Sequence, residues 1–152
     1  MLVNNLFKYD IAVIGLGYVG LPLIITAAKS GMKCLGIDIN KKTIEALNNQ
    51  SSHIERVTND DLITCKENLK FDNLYSDIGD VSTIVLCVPT PLRDGNPYTG
   101  YIDSVIHEIG DKVKNQQTII LESTTYPNHT LNIAQEIERK TDLCVGKEIG
   151  RA

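Results

Sequence analysis

Short apolar runs alternate with longer amphipathic stretches along the whole chain. Residues 11–14 are continuously apolar and stop at Gly15, the pattern of a strand covered on both faces. Over residues 18–30, Leu21, Leu23, Ile24, Ile25, Ala27 and Ala28 recur at helical spacing and Gly31 follows, which predicts a helix with a glycine stop. Pro22 falls near its first turn, where a missing N–H does little harm. Residues 33–37 predict the next strand, ending at Asp38. A helix over 41–48 places Ile44 and Leu47 on one side, and a further helix starts at Thr58, a cap followed by Asp60 and Asp61. A short strand over 69–71 precedes a clear apolar strand over 83–88, stopped by Pro89. Residues 89–100, with three prolines and two glycines, read as a long loop. A helix over 102–113, a strand over 118–121, a helix over 130–140 and a last strand from near Leu143 complete the pattern. Repeated strand–helix alternation implies the α/β class, with a doubly wound parallel sheet in a single domain.

Composition narrows the function classes. The chain has 152 residues, 42% of them hydrophobic, enough for one domain with its own core. It carries 15 Lys and Arg against 19 Asp and Glu, a net charge of −4, and no basic tract, so nucleic acid is not an expected partner. Cys34, Cys65, Cys87 and Cys144 form no CxxC pair and no zinc spacing; Cys34 and Cys87 lie in apolar runs and are expected to be buried, without disulfides. No stretch is long and apolar enough to span a membrane, and residues 1–10 do not resemble a leader, so the expected location is the cytoplasm. His107 on a helical stretch and His129 after a loop have no sequence partner that suggests metal or triad chemistry, and no metal site is expected.

The sharpest feature is Gly15-Leu16-Gly17-Tyr18-Val19-Gly20, directly between a predicted strand and a predicted helix. In such a loop the first glycine, Gly15, permits the tight turn. Gly17, lacking Cβ, lets a pyrophosphate approach the backbone, and Gly20 lets the helix pack on the sheet. The free N–H groups and the dipole at the helix start then hold the anion, which explains how a chain of net charge −4 can bind a dianionic cofactor. Asp38, 18 residues beyond Gly20, stands where an acid accepts hydrogen bonds from the adenosine ribose. Its carboxylate disfavours a 2′-phosphate, so NAD is expected ahead of NADP. A flavin ranks lower, since nothing else in the first half is specific to it. The plain alternative is an ordinary βα turn with Asp38 capping the next helix.

Residues 11–22, Ile-Ala-Val-Ile-Gly-Leu-Gly-Tyr-Val-Gly-Leu-Pro, closely resemble the start of the nucleotide-sugar 6-dehydrogenases acting on UDP-glucose, UDP-N-acetylhexosamines or GDP-mannose. Cys87-Val88-Pro89-Thr90-Pro91-Leu92 and Glu122-Ser123-Thr124-Thr125-Tyr126-Pro127 resemble the family's segments after its fourth and fifth main strands, with wording most like the UDP-N-acetylhexosamine branch. The resemblance runs from about Ile11 to Gly146. It implies a Rossmann domain that binds NAD for a two-step oxidation of a sugar C6 alcohol to a carboxylate. Carried over by residue, it implies backbone contacts to the cofactor at Gly15, Gly17, Tyr18, Val19 and Gly20, and Asp38 on the adenosine ribose. It places Val88 and Thr90 along the nicotinamide half. Thr124 would sit near the nicotinamide, positioning the water that hydrolyses a thioester. For Thr90 and Thr124 the bland reading is a turn hydroxyl bonding its own backbone. His53 and Glu55 fall where the family approaches substrate, but read as a solvated polar loop. Two positions depart from the family's wording: Thr43 where a Lys or Arg is common, and Asn128 where glycine is usual. Asn tolerates left-handed backbone, so the second turn is expected to survive.

The family's nucleophilic cysteine and its nucleotide-sugar-binding domain have no counterpart within residues 1–152, and Cys87, ending a buried strand before proline, lacks the setting of a reactive thiolate. The chain is therefore expected to be the cofactor-binding part of a longer enzyme. That enzyme would take a nucleotide sugar through the other part and form a homodimer, and this chain alone would not oxidise sugar. A dehydrogenase of the 6-phosphogluconate or 3-hydroxyacyl-CoA type, or a non-catalytic NAD-binding module, are the alternatives.

Overall fold

A computed structural model describes residues 6–151; the leader expectation over residues 1–10 and the domain bounds 1–152 thus fall partly outside the described residues. The core element is β1 (Tyr9–Ile14), flanked by β2 (Cys34–Ile37) and β4 (Val81–Leu86). β3 (Leu69–Asp72) extends the sheet beyond β2; β7 (Thr118–Leu121) and β8 (Gly150–Arg151) extend it beyond β4. All six strands are parallel in the order β3-β2-β1-β4-β7-β8. Two half-sheets thus run outward from the β1/β4 boundary, and the strand order reverses there. In open sheets of this kind the crevice outside the carboxyl ends at that boundary is where ligands bind.

Both faces of the sheet are covered, which is why its strands are continuously apolar rather than alternating. Val13 and Val85 face one cluster, with α1 (Gly20–Lys29), α2 (Lys41–Asn48) and α3 (Asn59–Cys65) contributing Leu21, Ile24, Ile44 and Leu62. Ala12, Ile14, Ile84 and Leu86 face the other, under α4 (Gly100–Ile109) and α5 (His129–Thr141).

Local signals set the element ends. Gly31, at φ +92°, closes α1: its N–H bonds the Ala28 carbonyl at 3.0 Å and that of Met32 the Ala27 carbonyl at 3.3 Å, the paired bonds of a Schellman stop. Thr58 and Asp61 form a reciprocal capping box on α3. Asn128 takes φ +70° just before α5, the left-handed turn expected of it.

The structure corrects several element bounds. β4 runs over Val81–Leu86, two residues earlier than expected at each end, because Tyr9 pairs with Val81 and the Leu86 carbonyl is taken by the N–H groups of Glu122 and Ser123. Residues 89–100 are not all loop: β5 (Leu92–Arg93) and β6 (Asn96–Pro97) form a small hairpin around Asp94 and Gly95, both at positive φ. α4 ends at Ile109 and a 3₁₀ turn over Gly110–Lys112 follows, although Val113 remains buried. The last strand begins at Gly150, not near Leu143. The Cys144 carbonyl gathers the N–H groups of Lys147, Glu148 and Ile149 into a tight turn first. All four cysteines are free thiols, with Cys34 and Cys65 buried and Cys87 half-buried. Among the described residues no helix is long and apolar enough to cross a membrane.

Candidate functional site

The three glycines between β1 and α1 have three different surroundings. Gly15 sits at φ +95°, and a Cβ there would lie 2.6 Å from the Cys87 carbonyl oxygen, so only glycine lets β1 turn against the end of β4. A Cβ on Gly20 would lie 1.8 Å from the Gly15 carbonyl oxygen, so α1 packs directly on the turn. A Cβ on Gly17 would meet nothing within 4 Å. The backbone there is bare toward open space. No side chain caps the start of α1, and Tyr18 and Val19 are exposed beside it. An uncapped helix start behind a bare main chain is a site for an anion.

Asp38, at the end of β2, reaches this loop. Its Oδ2 accepts the Leu16 N–H at 2.9 Å, and its Oδ1 accepts the Asn40 N–H at 2.9 Å. The cap of α2 is Asn40, whose side chain accepts the Lys42 N–H at 3.1 Å. Asp38 therefore braces the glycine loop rather than capping the helix, and each carboxylate oxygen keeps a lone pair for a further donor. His53 is exposed, as expected of a polar loop, yet its Nε2 lies 3.0 Å from the Leu16 carbonyl, so it also touches the glycine loop. A cavity of about 670 Å³ opens beside Asp38, lined by Gly15, Ile39, Tyr75, Val88 and Tyr101. That is the size range of small-molecule sites, mostly apolar with few polar groups.

Thr90 and Thr124 follow the carboxyl ends of adjacent strands, β4 and β7, but neither lines this cavity. Thr90 is half-buried and Thr124 exposed. Between them the Ser123 hydroxyl donates to the Val88 carbonyl at 2.8 Å and lies 3.2 Å from that of Leu86. His129 is hydrogen-bonded at both ring nitrogens: Thr125 Oγ1 lies 2.5 Å from Nδ1 and Asp103 Oδ1 lies 2.9 Å from Nε2. The Thr125-to-His129 spacing across a helix start is legible in the chain. The meeting with Asp103, on a different helix, is not.

Burial pushes the Cys87 thiol up to about 11, with the Glu122 carboxylate adding to it, so Cys87 has no thiolate character near neutrality. Among the described residues no group of three or more His, Cys, Asp or Glu side chains is placed to hold a metal ion.

Comparison with known proteins places the chain in a family. The family model "UDP-glucose/GDP-mannose dehydrogenase family, NAD binding domain" matches residues 9–149. The UDP-N-acetyl-D-mannosamine dehydrogenase of Pyrococcus horikoshii is 33% identical over 141 residues, covering 90% of this chain and 33% of that protein. The enzyme of the same name from Yersinia pestis is 29% identical, over 93% of this chain and 34% of its own. Among solved structures, the P. horikoshii UDP-D-ManNAc dehydrogenase superposes with a TM-score of 0.88 at 31% identity, covering 93% of this chain and 35% of that one. A ternary complex of GDP-mannose dehydrogenase from Pseudomonas aeruginosa gives 0.87 at 26% identity, with the same coverage. The chain spans about a third of the length of these relatives.

Proposed function

The chain belongs to the UDP-glucose/GDP-mannose dehydrogenase family, and from that we propose that it is the NAD-binding domain of a nucleotide-sugar 6-dehydrogenase. The observation that carries this is the bare Gly17 backbone in front of the uncapped start of α1, with the Asp38 carboxylate at the cavity beside it. The residues present suit the dinucleotide. The pyrophosphate would lie on the backbone of Gly15, Gly17, Tyr18, Val19 and Gly20, neutralised by the helix start. The adenosine ribose would donate to the free lone pairs of Asp38, whose charge rejects a 2′-phosphate. Val88 and Thr90 would border the nicotinamide half, and the Thr124 hydroxyl would stand near the ring and orient a water.

NAD bound there supplies hydride acceptance. The overall change proposed is a sugar C6 alcohol, one water and two NAD going to a carboxylate, two NADH and three protons. The water comes to C6 in the second half of that change, which is the step Thr124 would serve. The sugar is proposed to be a UDP-N-acetylhexosamine, in keeping with relatives named for UDP-N-acetyl-D-mannosamine. The nucleotide-sugar domain, the nucleophile and the contacts of a homodimer would lie in the part of the relatives' length this chain does not span. The whole enzyme is proposed to work in the cytoplasm.

Calorimetry on this chain with NAD, NADH, NADP and ADP tests the binding half. NAD and NADH are expected to bind more tightly than NADP; equal or tighter NADP binding, or no NAD binding at all, would overturn it. For the reaction, the full-length enzyme should form two NADH per UDP-N-acetylhexosamine consumed, while this chain alone forms none.

A further inference from the structure

His129 is the one imidazole sealed from solvent among the described residues, at 1% exposure. A buried polar ring is costly unless each nitrogen is paired, and here each is. Asp103 Oδ1 lies 2.9 Å from Nε2, and Thr125 Oγ1 lies 2.5 Å from Nδ1. A carboxylate can only accept, so in the neutral ring Nε2 carries the proton and Nδ1 takes the Thr125 hydroxyl proton. The other oxygen of Asp103 accepts from Thr99 Oγ1 at 3.1 Å. The Tyr126 ring stacks on the imidazole with centroids 4.7 Å apart.

The chain of bonds has two ends. Thr99 closes the segment that follows β4 and carries Thr90. Thr125 lies in the segment that follows β7, immediately after Thr124. On its other side Thr124 is preceded by Ser123, whose hydroxyl is fixed on the carbonyl of Val88. Thr124 is exposed and has no such bond among the described residues, but the residues before and after it are both anchored. One anchor is on the end of β4, the other on the packed starts of α4 and α5. A residue whose two neighbours are held in this way keeps its own φ and ψ without spending its hydroxyl.

We propose that His129, oriented by Asp103, is a positioning residue that holds the Thr125 side chain and so sets Thr124 against the nicotinamide half of the bound cofactor. This rests on the NAD-binding reading above. His129 itself touches no ligand.

The experiment compares NAD with ADP-ribose, which lacks only the nicotinamide, by calorimetry on the whole chain. Thr125→Val removes the hydroxyl at nearly constant volume, Thr125→Ser restores it, and Asp103→Ala frees the imidazole from a partly exposed position. Thr125→Val is expected to weaken NAD about tenfold and ADP-ribose less than twofold. Thr125→Ser should stay within twofold of wild type for both, and Asp103→Ala should lose several-fold for NAD alone. Equal losses for NAD and ADP-ribose mark a merely structural role and overturn the proposal. An unchanged NAD affinity in Thr125→Val, or wild-type chain that binds the two ligands equally, overturns it too. Wild-type chain that binds neither instead overturns the NAD-binding reading itself. Asp103→Ala keeps the test open if Thr125→Val does not fold, since its side chain is 58% exposed.

Discussion

Gly17 and Gly20 are three residues apart at the junction of β1 and α1, yet alanine should act on them in opposite ways. At Gly20 the new methyl would sit 1.8 Å from the Gly15 carbonyl oxygen and 3.1 Å from Val13 Cγ1. Backbone cannot rotate aside, so α1 would have to lift off β1 and drag Leu21 and Ile24 out of register with their core. Overpacking of that kind costs about 3 kcal/mol, and at about 2–4 °C per kcal/mol for a chain of this length the melting temperature should fall by about 6–12 °C. At Gly17 the methyl meets nothing within 4 Å and the backbone is not left-handed. There alanine restricts the unfolded chain and should stabilise by about 0.4–1 kcal/mol, a rise of about 1–4 °C. The same methyl would occupy the space through which the proposed pyrophosphate reaches the helix start, so NAD affinity should fall at least about tenfold, some 1.4 kcal/mol. Thermal melts followed by circular dichroism and titration with NAD read both quantities on the same two proteins. A Gly17→Ala chain that melts normally and binds NAD like wild type would refute the reasoning, since it would mean that no phosphate comes near that backbone.

Further outcomes follow from the structure. Asp38→Ala should narrow the preference for NAD over NADP by roughly tenfold, because a carboxylate ~5 Å from a phosphate of ~1.5–2 charges costs ~1.2–1.7 kcal/mol in water-like surroundings; paired titrations with the two cofactors measure it. Gln117 is fully buried, accepting the Lys114 N–H at 2.6 Å and donating to the carbonyls of Ile78 and Val81. Gln117→Leu strands those groups and should cost about 3 kcal/mol, a fall of about 6–12 °C in melting temperature. Burial pushes Cys34 up to about 12 from an ordinary 9.0, so the folded state favours its neutral thiol. That contribution is complete below pH 9 and is lost as pH rises toward 12. Denaturant melts should therefore weaken over this window and do so less in Cys34→Ala, while a thiol reagent at pH 8 should label exposed Cys144 well before Cys34, Cys65 or Cys87.

What the chain declares about itself is what a few neighbouring residues decide. The bounds of α2 and β7, the Gly31 stop and the Thr58 cap follow from residues within one turn of each other, and each stands in the structure where the sequence puts it. The strand-then-loop-then-helix context of Gly15, Gly17 and Gly20 is equally local, apart from the β4 backbone that Gly15 meets. Errors arise where the deciding contact is distant. The polar Ser82 hides the start of β4, which only the pairing of Val81 with Tyr9 fixes. Val113 keeps the helical spacing of α4 because it is buried, not because it is helical. The Asp94-Gly95 turn is a strong hairpin signal, masked by the prolines around it.

The same division runs through the site. The part that would take the phosphates is built from one loop and is legible; the part that would hold the reactive end of the cofactor is assembled from three segments and is not. Thr124 carries no mark that separates it from a turn hydroxyl until Ser123 is seen on the end of β4 and Thr125 on a histidine that Asp103 orients from another helix. A spacing search would find Thr125 and His129, four residues apart, and would miss Asp103, 26 residues from that histidine. A site for the common part of a dinucleotide can thus be proposed from sequence, because it needs only bare backbone and a helix start. On the proposed reading, placement of the nicotinamide would depend on how α4 and α5 pack, which no local pattern encodes.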